Sequence, residues 1–293
     1  MLQTFKLGFF RVWYRLANYL AWRKADLGTN GSHLLLRGKD GDINARSYRG
    51  PSGQDRPLVA YFHGGGWLIG DLKTHDYFCR SLASRTGCSV VAIDYRLAPE
   101  NAYPAAHDDC LAASEWIAEN LAELPPNNGS IILAGDSAGG NLAVCTALEL
   151  SDTARQKAAG VLSIYPVTDH YQADFGSYTE RASGQALTRD LMEWFWDSYL
   201  GTTTPDAAHR ARPLHSEGLA GLPPLLLVTA ERDPLRDEGA ALAQRCRDAG
   251  VPVDYRHYGD AEHGFACSEG ETEDFLAFID QVNEWLAELP RPA

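Results

Sequence analysis

A chain of 293 residues is long for one domain, but α/β folds of this length enclose a single continuous core, so one domain with insertions is expected. Its 26 Lys and Arg against 39 Asp and Glu give a net charge of -13, which repels polyanions and excludes nucleic-acid binding as a function class. Six cysteines, Cys79, Cys88, Cys110, Cys145, Cys246 and Cys267, form no C-x-x-C pair and lack the density of a disulfide scaffold, so they read as reduced thiols of a cytoplasmic protein.

The chain opens on a segment unlike the rest. Lys6, Arg11, Arg15, Arg23 and Lys24 all precede the first acid, Asp26, which leaves the remainder at about -18. Arg11 and Arg15 interrupt the aromatic run from Phe5 to Trp22, so a signal peptide is not expected, and no stretch reaches the ~18 apolar residues of a membrane span. A helix packed on its own protein is the reading here, with peripheral contact at an anionic membrane surface as the alternative.

Residues 34–36 and 43–48 then flank Asp40-Gly41, a dipeptide suited to a tight hairpin, so the sheet should begin antiparallel at one edge. Buried runs follow at 58–62, 89–93, 131–134, 161–165, 225–230 and 253–258, separated by helix-period segments such as 106–121. The last helix carries Phe275, Phe278, Val282, Trp285 and Leu286 on one stripe and stops at Pro290. This alternation predicts an α/β class fold, a mostly parallel sheet with helices on both faces. One region departs from it: 167–215 has no convincing strand and contains Leu187, Leu191, Trp194, Phe195 and Trp196, so it reads as a helical insertion.

Chemistry enters at Gly135-Asp136-Ser137-Ala138-Gly139, a G-x-S-x-G between a buried strand and a helix expected near Asn141. A serine hydroxyl is a weak nucleophile unless held exposed beside a base, and a sharp strand-to-helix turn lifts it above the sheet edge. The run His63-Gly64-Gly65-Gly66-Trp67 follows the 58–62 strand, and three glycines mark bare backbone that must approach something closely. An oxyanion supplies the reason, with the N–H groups of Gly65, Gly66 and Ala138 as donors. A phosphate-cradling loop fits less well, since neither a Lys-Ser ending nor G-x-G-x-x-G spacing is present. His63 is expected to brace this loop.

Among nine histidines, His263 suits a base, because it lies in a loop between the 253–258 strand and the last helix. Asp233 leaves the end of the 225–230 strand and is placed to orient that imidazole, ahead of Glu231, Asp237 and Glu238. The order Ser, Asp, His on successive loops is that of the α/β-hydrolase arrangement. Trp67, Trp194, Phe195, Trp196 and Phe265 are candidates for lining a substrate pocket, with core packing as the alternative.

The segments His63-Gly64-Gly65-Gly66-Trp67, Gly135-Asp136-Ser137-Ala138-Gly139-Gly140, Asp233-Pro234-Leu235 and His263-Gly264-Phe265, together with 94–100 and Tyr103-Pro104-Ala105-Ala106, resemble those of the bacterial hormone-sensitive-lipase-like esterases (family IV) over most of the chain. The resemblance implies a single α/β-hydrolase domain across 1–293, with a cap built from about 1–30 and 167–215. It implies a carboxylic ester hydrolase working through a Ser-His-Asp triad, with a small-molecule ester as its partner and no cofactor and no metal. Separately, a cap crowded with large rings favours short to medium acyl esters, and a monomer or homodimer is expected. Ala230 stands where such relatives often carry glycine. Plant gibberellin receptors, which the family also resembles, lack a working histidine at the place of His263, so binding without turnover is disfavoured. An amidase or acyltransferase with the same triad fits the motifs equally.

Overall fold

The computed structural model describes residues 2–22, 30–38, 41–52 and 55–290, and within them the side chains from Leu7 onward. Arg23, Lys24, Asp26 and Asp40 lie outside the described residues, as does part of the 1–30 segment expected in the cap.

Helix α1 (Leu2–Trp22) precedes the hairpin β1 (Ser32–Gly38) and β2 (Gly41–Tyr48), followed by β3 (Leu58–Phe62), α2 (Asp76–Thr86), β4 (Val90–Ile93) and α3 (Ala105–Glu119). Strand β5 (Ile131–Asp136) leads into α4 (Ala138–Glu149), then a short α5 (Asp152–Arg155) and β6 (Ala158–Ile164). The insertion holds α6 (Gly176–Glu180), α7 (Arg189–Leu200) and single 3-10 turns, after which β7 (Leu225–Arg232), α8 (Arg236–Asp248), β8 (Val253–Glu262) and α9 (Glu273–Glu288) complete the chain.

The strands form one sheet in the order β1-β2-β4-β3-β5-β6-β7-β8. As the hairpin reading requires, β1 and β2 are antiparallel to their neighbours, and every pair from β4 onward is parallel. Strands β3, β4 and β5 are buried at every residue, because helices cover both faces of a parallel sheet. One apolar cluster joins Leu58, Phe62, Leu133, Leu142 and Leu227 to α3, α4 and α8, and the other joins Tyr61, Val90, Leu226 and Phe265 to α2 and α9.

Local chemistry sets the helix ends. Thr272 caps α9 by accepting from the Phe275 N–H at 3.2 Å, and Glu273 and Asp274 favour its positive end. Thr188 caps α7 in the same way through the Leu191 N–H at 3.3 Å. Gly87 closes α2 in the left-handed conformation at φ 76°.

The parallel strands all end at one edge of the sheet, where loops from β3, β5, β7 and β8 meet. Helix α1 is strapped over that edge by Arg11, which donates to Leu68 O (2.8 Å) and Ala98 O (3.1 Å) and pairs with Glu100, and by Arg15, which pairs with Asp71. The insertion is pinned to α8, where the Thr168 N–H donates to Glu238 Oε1 at 2.7 Å and its hydroxyl to Glu238 O at 2.9 Å.

Candidate active site

The turn after β5 is built for crowding. Ser137 sits at φ 56°, ψ -119°, and helix α4 begins at Ala138, three residues before the expected Asn141. A Cβ on Gly139 would lie 2.0 Å from Phe62 O, and one on Gly135 2.3 Å from Gly139 O, so glycine is required on both sides of Ser137. The Ser137 N–H donates to Ile164 O at 2.8 Å, which fastens the turn to the neighbouring strand.

Three distant side chains meet above this turn. The Ser137 hydroxyl lies 3.0 Å from His263 Nε2, and His263 Nδ1 lies 2.7 Å from Asp233 Oδ2. A carboxylate can only accept, so Nδ1 carries the proton and Nε2 is left to accept from the hydroxyl. Asp233 is fully buried, and its Oδ1 accepts from the Leu235 N–H at 2.8 Å. The rival acids are engaged elsewhere: Glu231 with Arg181, Arg236 and His257, Asp237 with Arg236, and Glu238 with Thr168.

The glycine run forms the facing wall. Gly65 and Gly66 take φ of 116° and 58°, and a Cβ on Gly66 would fall 2.3 Å from Phe195. Leu68 and Ile69 N–H groups close the loop onto Gly65 O, and Ala138, opening α4, has no intrahelical acceptor for its own N–H. His63 braces this loop as expected: Nδ1–H donates to Gly64 O at 2.8 Å, and burial followed by the neighbouring charge of His75 pushes its pKa down to about 4.

Beneath the loop lies a residue that the motif reading passed over. Asp136 Oδ1 accepts from the Gly64 N–H at 2.8 Å and the Tyr61 hydroxyl at 2.5 Å, with His75 Nε2 3.4 Å away. Burial raises its pKa, but His75 and these hydrogen bonds outweigh it and hold the carboxyl below the usual range. One buried carboxylate thereby ties the glycine loop to the serine turn.

The serine opens into a cavity of about 290 Å³. Its walls are Phe10, Trp13, Tyr14, Ala17 and Asn18 of α1, Ile69, then Ala186, Leu187, Leu191 and Phe195 of the insertion, and Gly264, Ser268 and Glu269 after β8. Phe195 lines it as expected. Four other aromatic candidates do not, which corrects the reading of them as pocket residues. Trp67 is buried and stacked on Tyr199 at 4.3 Å, and Trp196 packs against it at 4.8 Å. Trp194 meets Phe10 edge-on at 5.9 Å outside the cavity, and Phe265 is core between Tyr165 and Tyr258. The wall residues of α1, Phe10, Trp13, Tyr14, Ala17 and Asn18, lie at helical spacing, and nothing in the sequence says what that side of the helix faces.

The buried Glu238 yields a stability prediction. Burial pushes its carboxyl pKa well above the ordinary value, although the Thr168 N–H pulls the other way. The folded state therefore holds this proton more tightly than the unfolded chain. No cost arises below about pH 4.5, where both states are protonated, and stability is lost as pH rises above it. Glu238→Gln keeps the acceptor for Thr168 and removes the titration, so it should add on the order of 1 kcal/mol at pH 8 and almost nothing at pH 4. Urea midpoints at the two pH values measure this, and an equal gain at both would refute it.

Comparison with known proteins agrees with this fold. A family model described as alpha/beta hydrolase fold matches residues 59–267. The carboxylic ester hydrolase LipN of Mycobacterium tuberculosis is 42% identical over 79% of this chain, which spans 63% of LipN's own length. An ethyl acetate hydrolase of Pseudomonas putida is 36% identical over 90% of this chain and 82% of its own. Among solved structures, the Pyrobaculum calidifontis esterase superposes with a TM-score of 0.87 at 35% identity, covering 96% of this chain and 92% of that one. The chain belongs to the α/β-hydrolase fold family and, within it, to the hormone-sensitive-lipase-like esterases.

Proposed function

We propose that the chain is a carboxylesterase that cleaves short to medium acyl esters through an acyl-enzyme on Ser137. The observation that carries this reading is the unbroken hydrogen-bond chain from Asp233 through His263 to Ser137 at the foot of a small apolar cavity. His263 Nε2 takes the hydroxyl proton as Ser137 Oγ attacks the ester carbonyl carbon. Negative charge gathers on the carbonyl oxygen, where the N–H groups of Gly65, Gly66 and Ala138 receive it. Collapse breaks the bond to the alcohol, which leaves with the proton from His263, and water repeats the cycle on the acyl group. Asp233 holds the imidazole tautomer and stabilises the imidazolium.

Helix α1 and residues 167–215 serve as the cap over one hydrolase domain, a reading supported by the cavity walls that both supply. Six free, buried thiols suit a reducing compartment such as the cytoplasm. Among the described residues no helix is long and apolar enough to cross a membrane.

Cavity size sets the expected acyl length. With about 290 Å³ closed by Leu187, Leu191 and Phe195, kcat/KM on nitrophenyl esters should peak at about four to six carbons and fall steeply beyond ~ten. A chain-length series tests this, and a maximum on long-chain triglyceride emulsions would overturn it.

A further inference from the structure

Helix α1 carries two apolar faces, and the fold uses one of them. Leu7, Phe10, Tyr14 and Trp22 turn toward the protein, while Phe9, Val12, Trp13, Leu16, Tyr19 and Leu20 stay exposed, Phe9 at 69%, Val12 at 64% and Leu16 at 55%. Six of the eight exposed large hydrophobics among the described residues therefore fall on this helix. Their spacing aligns them in one stripe along its outer side. The stripe presents on the order of 600 Å² of mostly apolar surface, a size that marks an interaction site. Trp13 belongs both to the stripe and to the cavity wall, so the stripe runs up to the cavity.

We propose that this stripe seats the protein on a lipid surface, with α1 lying in the interface and the cavity fed with esters dissolved in that layer. Charge favours this occupant. Arg11 is turned inward onto Leu68 O, Ala98 O and Glu100, and Arg15 at the stripe's edge is paired with Asp71, so docking dehydrates no free cation of the described stripe. With those cations engaged and a chain charge of -13, apolar burial drives docking, and zwitterionic lipid suffices. A second copy fits less well. Two round helices meeting stripe to stripe bury only part of each, on the order of 600 Å² in all, short of the ~1,200 Å² of a stable interface. Each copy would also bring the same net negative charge.

Flotation with phosphatidylcholine vesicles tests docking with no turnover involved. The wild-type chain should rise with the vesicles, and Val12→Asp/Leu16→Asp should cut the bound fraction about tenfold or more. Hydrolysis of dissolved nitrophenyl acetate should stay within about twofold in that variant, because neither residue lines the cavity. Phe9→Ser/Leu16→Ser repeats the test should the first pair fail to fold. Wild type remaining with the free protein, or variants floating equally well, would overturn the proposal. A wild-type dimer that these variants dissociate would overturn it too, by assigning the stripe to a second copy. Delivery of esters from the layer rests on the esterase reading, whereas flotation does not, so either can fail alone.

Discussion

Ser137→Ala will lower kcat on nitrophenyl esters by roughly 10⁴ to 10⁶ and will abolish the pre-steady-state burst of nitrophenol. Alanine removes the Oγ that lies 3.0 Å from His263 Nε2, and with it the atom through which an acyl-enzyme would form. The fold should survive the change. The strained backbone at φ 56° disfavours serine and alanine alike, and the N–H bond to Ile164 O does not involve the side chain. Melting temperatures within about 3 °C of each other would show that the loss is chemical rather than structural. The residual rate should reflect charge stabilisation by the glycine loop and binding alone. A variant that keeps more than about a hundredth of the activity would show that another group attacks the ester.

Much of this site was legible because its chemistry demands residues at defined places along the chain. Gly135 and Gly139 cannot be anything else where a Cβ would strike Phe62 O or Gly139 O, so the serine turn announces itself. The order of strands follows from buried runs, since a fully covered parallel strand has no polar face to confuse it. Helix α4 starts three residues before Asn141 although glycine disfavours helix, because Gly139 packs closely on β3 and Gly140 on β5 and β6, which places both inside its first turn. What the sequence left undecided is direction. On α7, Leu191 and Phe195 face the cavity while Met192, Trp196 and Tyr199 face the core, so periodicity reveals two apolar sides without saying which one lines the site. Trp67 adjoins the glycine run yet is buried against Tyr199, and Asp136 acts through Gly64, 72 positions away in sequence.

Asp233→Asn will lower kcat by about 10³ to 10⁴ while leaving KM nearly unchanged, and the reason lies in how the asparagine must sit. The Leu235 N–H points at Oδ1 from 2.8 Å and needs an acceptor, so the amide oxygen takes that position and the NH₂ turns toward His263. Facing a donor, Nδ1 must become the acceptor, which moves the imidazole proton to Nε2. That nitrogen then donates to the Ser137 hydroxyl instead of receiving its proton, and the base is lost with every heavy atom still in place. A second effect adds to the first, because the neutral amide cannot offset the imidazolium formed during attack. Neighbouring acids offer no rescue, since Glu231 and Asp237 are already held by arginines. NMR of the imidazole protons should show the proton leaving Nδ1 in the variant. Retention of it there, together with a loss below about tenfold in kcat, would mean that Asp233 does not orient the base.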